Sequence, residues 1–246
     1  REIRQLMLHS KPDYFLLLES LFQNPLFFIR FYFKSKIEDF LLVKMIFTYP
    51  AIKGNRFLEK IKYRFFIDSA IVFSKRLASD LQNNWNGKVF TMFPPISPKY
   101  SHLKNRSYGE KIRIGYVGRL SLDKGTHIIK EIMDKLDDEK YEFFIFGYYS
   151  EEQNPKFHLK NKNIHLEIKE QSAHNISIKA PLEKIDILVL PYQSLDSKTV
   201  DTPILILEGL SAGCIVVTSN LESIREIHPA IRLVDNYSDS ESFINE

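Results

Sequence analysis

Short apolar runs alternate with amphipathic stretches along most of this chain. Ile187–Leu190 is an unbroken apolar run, as expected of a parallel strand covered on both faces, and Pro191 ends it. After a polar loop, Thr202-Pro203 supplies an N-cap residue and a proline for the first helical position. Gly213 closes that helix, and Cys214–Val217 reads as a second buried strand. Upstream, the pattern predicts a strand over Lys111–Val117 and a helix over Lys124–Leu136 with Ile128, Ile129, Ile132, Met133 and Leu136 on one face. A strand over Tyr141–Phe146 ends in Gly147, and a weaker one covers Asn163–Ile168. The stretch 173–182 has no decisive period. A short helix at Glu222–Ile227 and a strand at Ile231–Val234 follow, and Glu246 falls in what reads as a starting helix.

The first hundred residues repeat the theme. Residues 1–10 read as the end of a helix, Tyr14–Leu18 and Leu41–Thr48 as strands, and residues 54–66 as a helix. Asp68–Phe73 is a strand, Ser74 caps a helix through Asn83, and Lys88–Met92 is another strand. Leu26–Lys36 is different. Its apolar residues cover most of a helical wheel, interrupted by Arg30, Lys34 and Lys36, so it is either a buried helix or one lying among lipid headgroups. Three prolines at Pro94, Pro95 and Pro98 and a polar run after them mark a linker. Strands alternating with helices imply parallel sheets and right-handed crossovers. The expectation is an α/β protein of two Rossmann-like domains facing a cleft, spanning 1–98 and 110–246, with 99–109 between them. The first domain offers only four strands, too few for a full half, and is expected to be truncated, the chain being a fragment.

Composition narrows the function. The 246 residues include 44% apolar ones, enough for a sizeable core, and are rich in Phe (19) and Tyr (12). A net charge of +3 argues against a dedicated nucleic-acid binder and permits anionic ligands or an anionic membrane surface. One cysteine excludes an internal disulfide. There is no apolar run of about 18 residues to suggest a membrane span and no secretory leader pattern.

In an open parallel sheet, ligands bind beyond the carboxyl ends of the strands. Gly118-Arg119-Leu120-Ser121-Leu122-Asp123-Lys124-Gly125 follows a strand and leads into a helix. Gly118 lets backbone approach a ligand, Arg119 suits a phosphate, and Lys124 at a helix start adds a second cation. The alternative is a glycine turn carrying two solvated cations. Gly147 also stands where a strand hands over to a loop. The helix start at Thr202, Pro203, Ile204 and Leu205 offers free N–H groups to an anion. Glu208 sits among Ile204, Leu205, Ile206, Leu207 and Leu210; it either accepts from vicinal hydroxyls of a ribose or pairs with a nearby cation.

Taken in order, Gly118-Arg119-Leu120, Asp123-Lys124-Gly125, Ile187–Pro191 and the run Thr202–Val217 resemble glycosyltransferase family 4, the retaining, nucleotide-sugar-dependent enzymes of the GT-B fold. The resemblance covers about residues 110–235 strongly and 66–98 less so. It implies that Arg119 and Lys124 grip the donor diphosphate and stabilise the leaving group. Ile204 and Leu205 would add backbone N–H groups, Glu208 would hold the ribose, and Gly118, Gly147, Thr202 and Pro203 would complete the donor site. It further implies no metal and no cofactor, a nucleoside-diphosphate sugar and a glycan or lipid-linked acceptor as partners, and no nucleic acid. The setting it implies is cytoplasmic, at the inner face of the membrane if Leu26–Lys36 touches lipid.

The chain departs from the family in three places, one of them the glycine pair expected after the Cys214–Val217 strand, where Asn220-Leu221-Glu222-Ser223 stands instead. The second acid expected eight residues before Glu208 is Val200, with Asp201 beside it as the substitute catalytic acid. The His expected after a middle strand of the first domain is missing, Tyr49-Pro50 standing there. The last two departures keep a catalytically silent donor-binding subunit in play. A nicotinamide-dependent oxidoreductase ranks last among the readings, since it calls for a Gly-x-Gly-x-x-Gly run after a strand and the chain has none. Asp137-Asp138-Glu139 reads as a solvated turn and Cys214 as a packing residue.

Overall fold

The structure, a computed structural model, describes residues 14–17, 41–46, 69–83, 85–98, 111–137, 139–149, 164–170, 179–193 and 203–246. The chain divides into two compact units, one running to Pro94 and one comprising Pro95–Leu195 and Pro203–Glu246. In the first, β1 (Tyr14–Leu17), β2 (Leu41–Ile46), β3 (Ser69–Val72) and β4 (Lys88–Thr91) form a parallel sheet in chain order. The single described helix here, α1 (Lys75–Gln82), starts as its sequence says. Ser74 is extended and its hydroxyl accepts from the Leu77 N–H at 3.1 Å. Leu77, Ala78 and Leu81 are the buried face of α1. The helices expected at 1–10 and 54–66, and the Leu26–Lys36 segment, lie outside the described residues.

The second unit is a six-stranded sheet, parallel throughout. Its strands are β5 (Ile112–Arg119), β6 (Tyr141–Tyr149), β7 (Ile164–Glu170), β8 (Ile187–Leu190), β9 (Ile215–Ser219) and β10 (Arg232–Val234). They lie in the order β10-β9-β8-β5-β6-β7, so the winding direction reverses between β5 and β8. The helices are α2 (Thr126–Lys135), α3 (Lys179–Lys184), α4 (Ile204–Ser211), α5 (Glu222–Arg225) and α6 (Ser240–Ile244). The unbroken apolar strands follow from cover on both faces. On one, α4 packs so tightly on β8 and β9 that a Cβ on Gly209 would lie 2.6 Å from Leu188 and 3.2 Å from Val216. On the other, α2 and α6 are clipped together where Lys135 Nζ meets Glu241 Oε1 at 2.6 Å and donates to Ser240 Oγ at 2.9 Å. An apolar cavity of about 240 Å³ lies under that clip, lined by Ile114, Ile132, Ile187, Ile215 and Phe243.

Several boundaries differ from the sequence expectation, each for a local reason. β5 and β6 run two and three residues further than periodicity implied, because Gly118 and Gly147 stay in register opposite each other and carry the ladder to Arg119↔Tyr148. The helix expected from Lys124 begins at Thr126 instead. Leu122–Lys124 is a separate 3-10 turn, and Gly125, at φ 70°, breaks the two apart. Pro203 is the N-cap of α4 rather than its first helical residue, with ψ 111°, an extended value that its ring permits. The other end of α4 is as expected. The N–H of Gly213 bonds to Leu210 O and that of Cys214 to Gly209 O, the paired closure of a glycine-terminated helix. Glu246 lies beyond the helix it was expected to fall within: α6 is capped by Asp239, which accepts from the N–H groups of Glu241 and Ser242, and ends at Ile244. Cys214 is buried, its Sγ 3.3 Å from Ile185 O, in the packing role read from sequence.

Asp186 fastens the amino ends of the two central strands. Its carboxylate takes the Arg113 Nε at 3.1 Å, Nη2 at 2.9 Å and backbone N–H at 3.1 Å, while its own N–H donates to Arg113 O at 2.7 Å. Removing a carboxylate that satisfies three donors strands a part-buried guanidinium. Asp186→Ala is expected to destabilise the second unit by about 2 kcal/mol in urea unfolding, with Asp186→Asn losing less.

Candidate active site at the switch point

β5 and β8 pair only through Ile114↔Ile187 and Gly115↔Leu188. Past that point β5 continues for four residues paired to β6 alone, while β8 turns out of the sheet at Pro191. The strands part where the winding reverses, which is the place an open α/β sheet forms a binding crevice. Everything sequence reading placed between Gly118 and Gly125 lies on one lip of it, and Pro191–Gln193 on the other.

The first lip is tightly built. Gly118 (φ 141°) takes a backbone shape that side chains disfavour. Leu120 is buried, and its N–H bonds to Tyr148 O at 2.8 Å. A Cβ on Gly147 would lie 2.7 Å from the Leu120 side chain. Gly147, read as a strand-end turn, is therefore a buried strand residue whose smallness lets Leu120 seat. Ser121 O then collects the Lys124 N–H at 3.1 Å and the Thr126 hydroxyl at 3.1 Å, which winds the chain into the 3-10 turn and on into α2. Arg119 Nε donates to Ser121 Oγ at 3.2 Å and Nη2 to Asp123 Oδ2 at 2.6 Å. Burial opposes ionisation of Asp123. The Ser121 hydrogen bond and the charges of Arg119 and Lys124 outweigh it and hold the carboxyl below its usual range.

The second lip locks onto the first. The carbonyl of Pro191 sits where a Cβ on Gly125 would be 1.9 Å away. The Gln193 N–H donates to Asp123 O at 3.0 Å, and its side-chain amide donates to Pro191 O at 2.9 Å and Tyr237 O at 2.8 Å. Lys124 Nζ lies 4.8 Å above the Tyr192 ring, a cation–π contact. Tyr116 is buried beneath, its hydroxyl donating to Arg119 O at 2.6 Å. Its phenol is pushed well above its usual pKa, by burial first and then by Tyr192, Tyr148 and Asp123. Tyr192 is raised likewise, by burial and then by Tyr148. Both stay neutral and serve as scaffold rather than bases, Tyr116 donating its hydroxyl proton to Arg119 O.

α4 returns from β8 to β9, so it runs against the strands and begins at the same carboxyl edge as the two lips. Ile204 and Leu205 are its first two residues, where N–H groups have no intrahelical acceptor. Glu208 is half-buried one turn on. Thr202, Asp201 and Val200 lie outside the described residues. The structure thus sets Gly118, Arg119 and Lys124 on one lip, buries Gly147 beneath Leu120 of that lip, and puts the start of α4 at the same edge. Sequence reading missed Tyr116, Tyr192 and Gln193. Tyr116 carried one usable signal, a hydroxyl within the buried run Ile114–Val117, which must find a partner. Gln193 carried none, because its role is to bridge loops remote in sequence.

A doubly wound parallel sheet whose winding reverses between β5 and β8 defines an open α/β domain. The model of the glycosyl transferases group 1 family matches residues 100–242, more than half of the chain, and this protein belongs to that family. Solved structures agree on the fold. HepE (Alr3699) of Anabaena, in complex with UDP, superposes with a TM-score of 0.67 at 12% identity, covering 99% of this chain and 70% of that one. A glycosyltransferase from Rickettsia africae ESF-5 gives 0.68 at 14%, covering 99% and 68%. The lipopolysaccharide outer core galactosyltransferase WaaB, in apo form, gives 0.59 at 14%, covering 99% and 68%. The chain has the α/β GT-B architecture over nearly its full length. No curated protein matches it by sequence.

Gly125 is the residue on which the two lips depend. Gly125→Ala meets both a left-handed backbone, costing about 1–2 kcal/mol, and a carbonyl that cannot move without displacing Pro191. The variant is expected to melt several degrees lower, read by thermal unfolding. Gly213→Ala, with a comparable φ of 77° but open space around its Cβ, separates the two costs and should lose less.

Proposed function

We propose that this protein transfers a sugar from a nucleoside-diphosphate sugar to a glycan or lipid-linked acceptor, with retention at the anomeric carbon. The observation that carries the reading is the pair of cations, Arg119 and Lys124, fixed on one lip of the crevice where β5 and β8 part. In the transfer, the bond between the anomeric carbon and the diphosphate oxygen breaks and its electron pair goes to that oxygen. The acceptor hydroxyl bonds to the same carbon and gives up its proton to the leaving diphosphate. Charge grows on the phosphates in the transition state, so positioned cations stabilise it more than the ground state. Arg119 and Lys124 take that role, with the first N–H groups of α4 (Ile204, Leu205, behind Thr202 and Pro203) as neutral donors. Glu208 receives the ribose hydroxyls, Gly118 allows close backbone approach, Gly147 contributes to the donor site by seating Leu120 beneath the lip, and Asp201 serves as the acid toward the donor sugar.

In this reading residues 1–98 form the acceptor side and 110–246 the donor side. The two cations supply the charge, with no metal or other cofactor. The setting in this reading is cytoplasmic, at the inner face of the membrane if Leu26–Lys36 touches lipid. Among the described residues no helix is long and apolar enough to cross a membrane. Peripheral contact through Leu26–Lys36 is part of the proposal, and full recovery of the protein in the soluble fraction after flotation with anionic liposomes would remove it.

A second reading rests on a specific substitution. Val200 stands where the family carries an acid, which favours a donor-binding subunit without turnover. Thermal-shift screening with UDP-, GDP- and ADP-sugars, followed by a donor hydrolysis and transfer assay, separates the two. A ligand at 100 times its Kd stabilises the folded state by about 2.7 kcal/mol, so one of the three should raise the melting temperature clearly. Lys124→Ala and Glu208→Ala are each expected to weaken donor binding by about ten- to a hundredfold. Turnover that survives EDTA supports the metal-free reading, and binding without turnover supports the silent subunit.

A further inference from the structure

The guanidinium of Arg119 already has an anion. Its Nε and Nη2 form one hydrogen-bonding edge, and that edge is taken by Ser121 Oγ at 3.2 Å and Asp123 Oδ2 at 2.6 Å. The pair is more than a loose surface contact. Asp123 sits in the 3-10 turn, its carbonyl accepts from Gln193 of the opposite lip, and the two side chains are 36% and 27% exposed. Its carboxyl is held ionised by Ser121, Arg119 and Lys124 against the cost of burial. A carboxylate therefore sits within the cationic lip to which a diphosphate is assigned.

We propose that Asp123 is a resident competitor for Arg119, which gives up the guanidinium when a diphosphate binds and takes it back when the diphosphate leaves. The inference rests on the donor-site reading above and adds how that site lets its product go. The donor and the nucleoside diphosphate left after transfer share the same diphosphate, and the product carries the greater negative charge. Two unopposed cations would therefore hold product at least as firmly as donor and stall the next turnover. An internal carboxylate offsets this, because the departing phosphate is replaced at Arg119 by Asp123 and the guanidinium is never left to desolvate alone. The same contact keeps the fork in one rotamer, so less order is lost when a phosphate arrives.

The test is calorimetric titration of the wild type, Asp123→Asn, Arg119→Gln and the double variant with UDP, GDP, ADP and pyrophosphate, and with uridine as an uncharged probe. Asp123→Asn is expected to bind the diphosphate probes about fivefold more tightly, the size of an ion-pair coupling, with slower release in stopped-flow displacement. The gain should disappear in the Arg119→Gln background and be absent for uridine, which a merely structural effect on the turn would not produce. Melting temperatures check folding, and Asp123→Ser replaces Asp123→Asn if the latter unfolds. Wild-type binding that the Asp123 variant leaves unchanged or weakens overturns the competition and leaves the donor site standing. Failure of the wild type to bind any of the four phosphate probes removes the donor reading, and this inference with it.

Discussion

The second unit depends on how little β5 and β8 touch. Two paired residues hold them together, and beyond Gly115 and Leu188 they separate. Parallel strands at a reversal of winding must do this, because the chain leaves one strand toward one face of the sheet and the other strand toward the opposite face. With so short a ladder, side chains have to hold the pair. Asp186 and Arg113 do so at the amino end, and a close fit of Ile185 against Gly115, whose Cβ would lie 2.2 Å away, does so beside it. At the carboxyl end the join is made by loops: Gly125 against Pro191, and Gln193 against Asp123. The crevice lies at the carboxyl edge, where the two strands have parted.

That arrangement explains why the charged residues of the site are so firmly placed on what is formally a loop. Arg119 is still in β5, and its carbonyl is held from below by the Tyr116 hydroxyl. Lys124 ends a 3-10 turn wedged between Ser121 and Gly125 and rests on Tyr192. Rigid placement of cations matters for transfer to or from a phosphate, since an ordered guanidinium or ammonium stabilises developing charge without reorganising at the moment of reaction. The buried phenols beneath keep the floor neutral, so the electrostatics of the lip are set by Arg119, Lys124 and Asp123.

Membership of the group 1 glycosyl transferases and the fold likeness to HepE and its neighbours fit this picture at the level of architecture. At 12–14% identity the likeness is one of overall fold, with TM-scores of 0.67 and 0.68.

Much was legible from the sequence because it is governed by local rules. Unbroken apolar runs mark strands covered on both faces, Ser74 caps its helix, Gly213 ends another, and the Gly-Arg to Lys-Gly spacing announces a loop at a strand end. The alternation of these elements determined a parallel α/β fold and the neighbourhood of the site. Sequence could not show that Gly118 and Gly147 lie in register within strands, nor that Lys124 precedes its helix instead of starting it. Those outcomes turn on a ladder partner and on one left-handed residue. Nor could it show that Arg119 is paired with Asp123 or that Pro191 closes on Gly125. Periodicity reports which face of an element is buried, but which two loops meet at a sheet edge is decided by strand order, and that exists only once the sheet has formed.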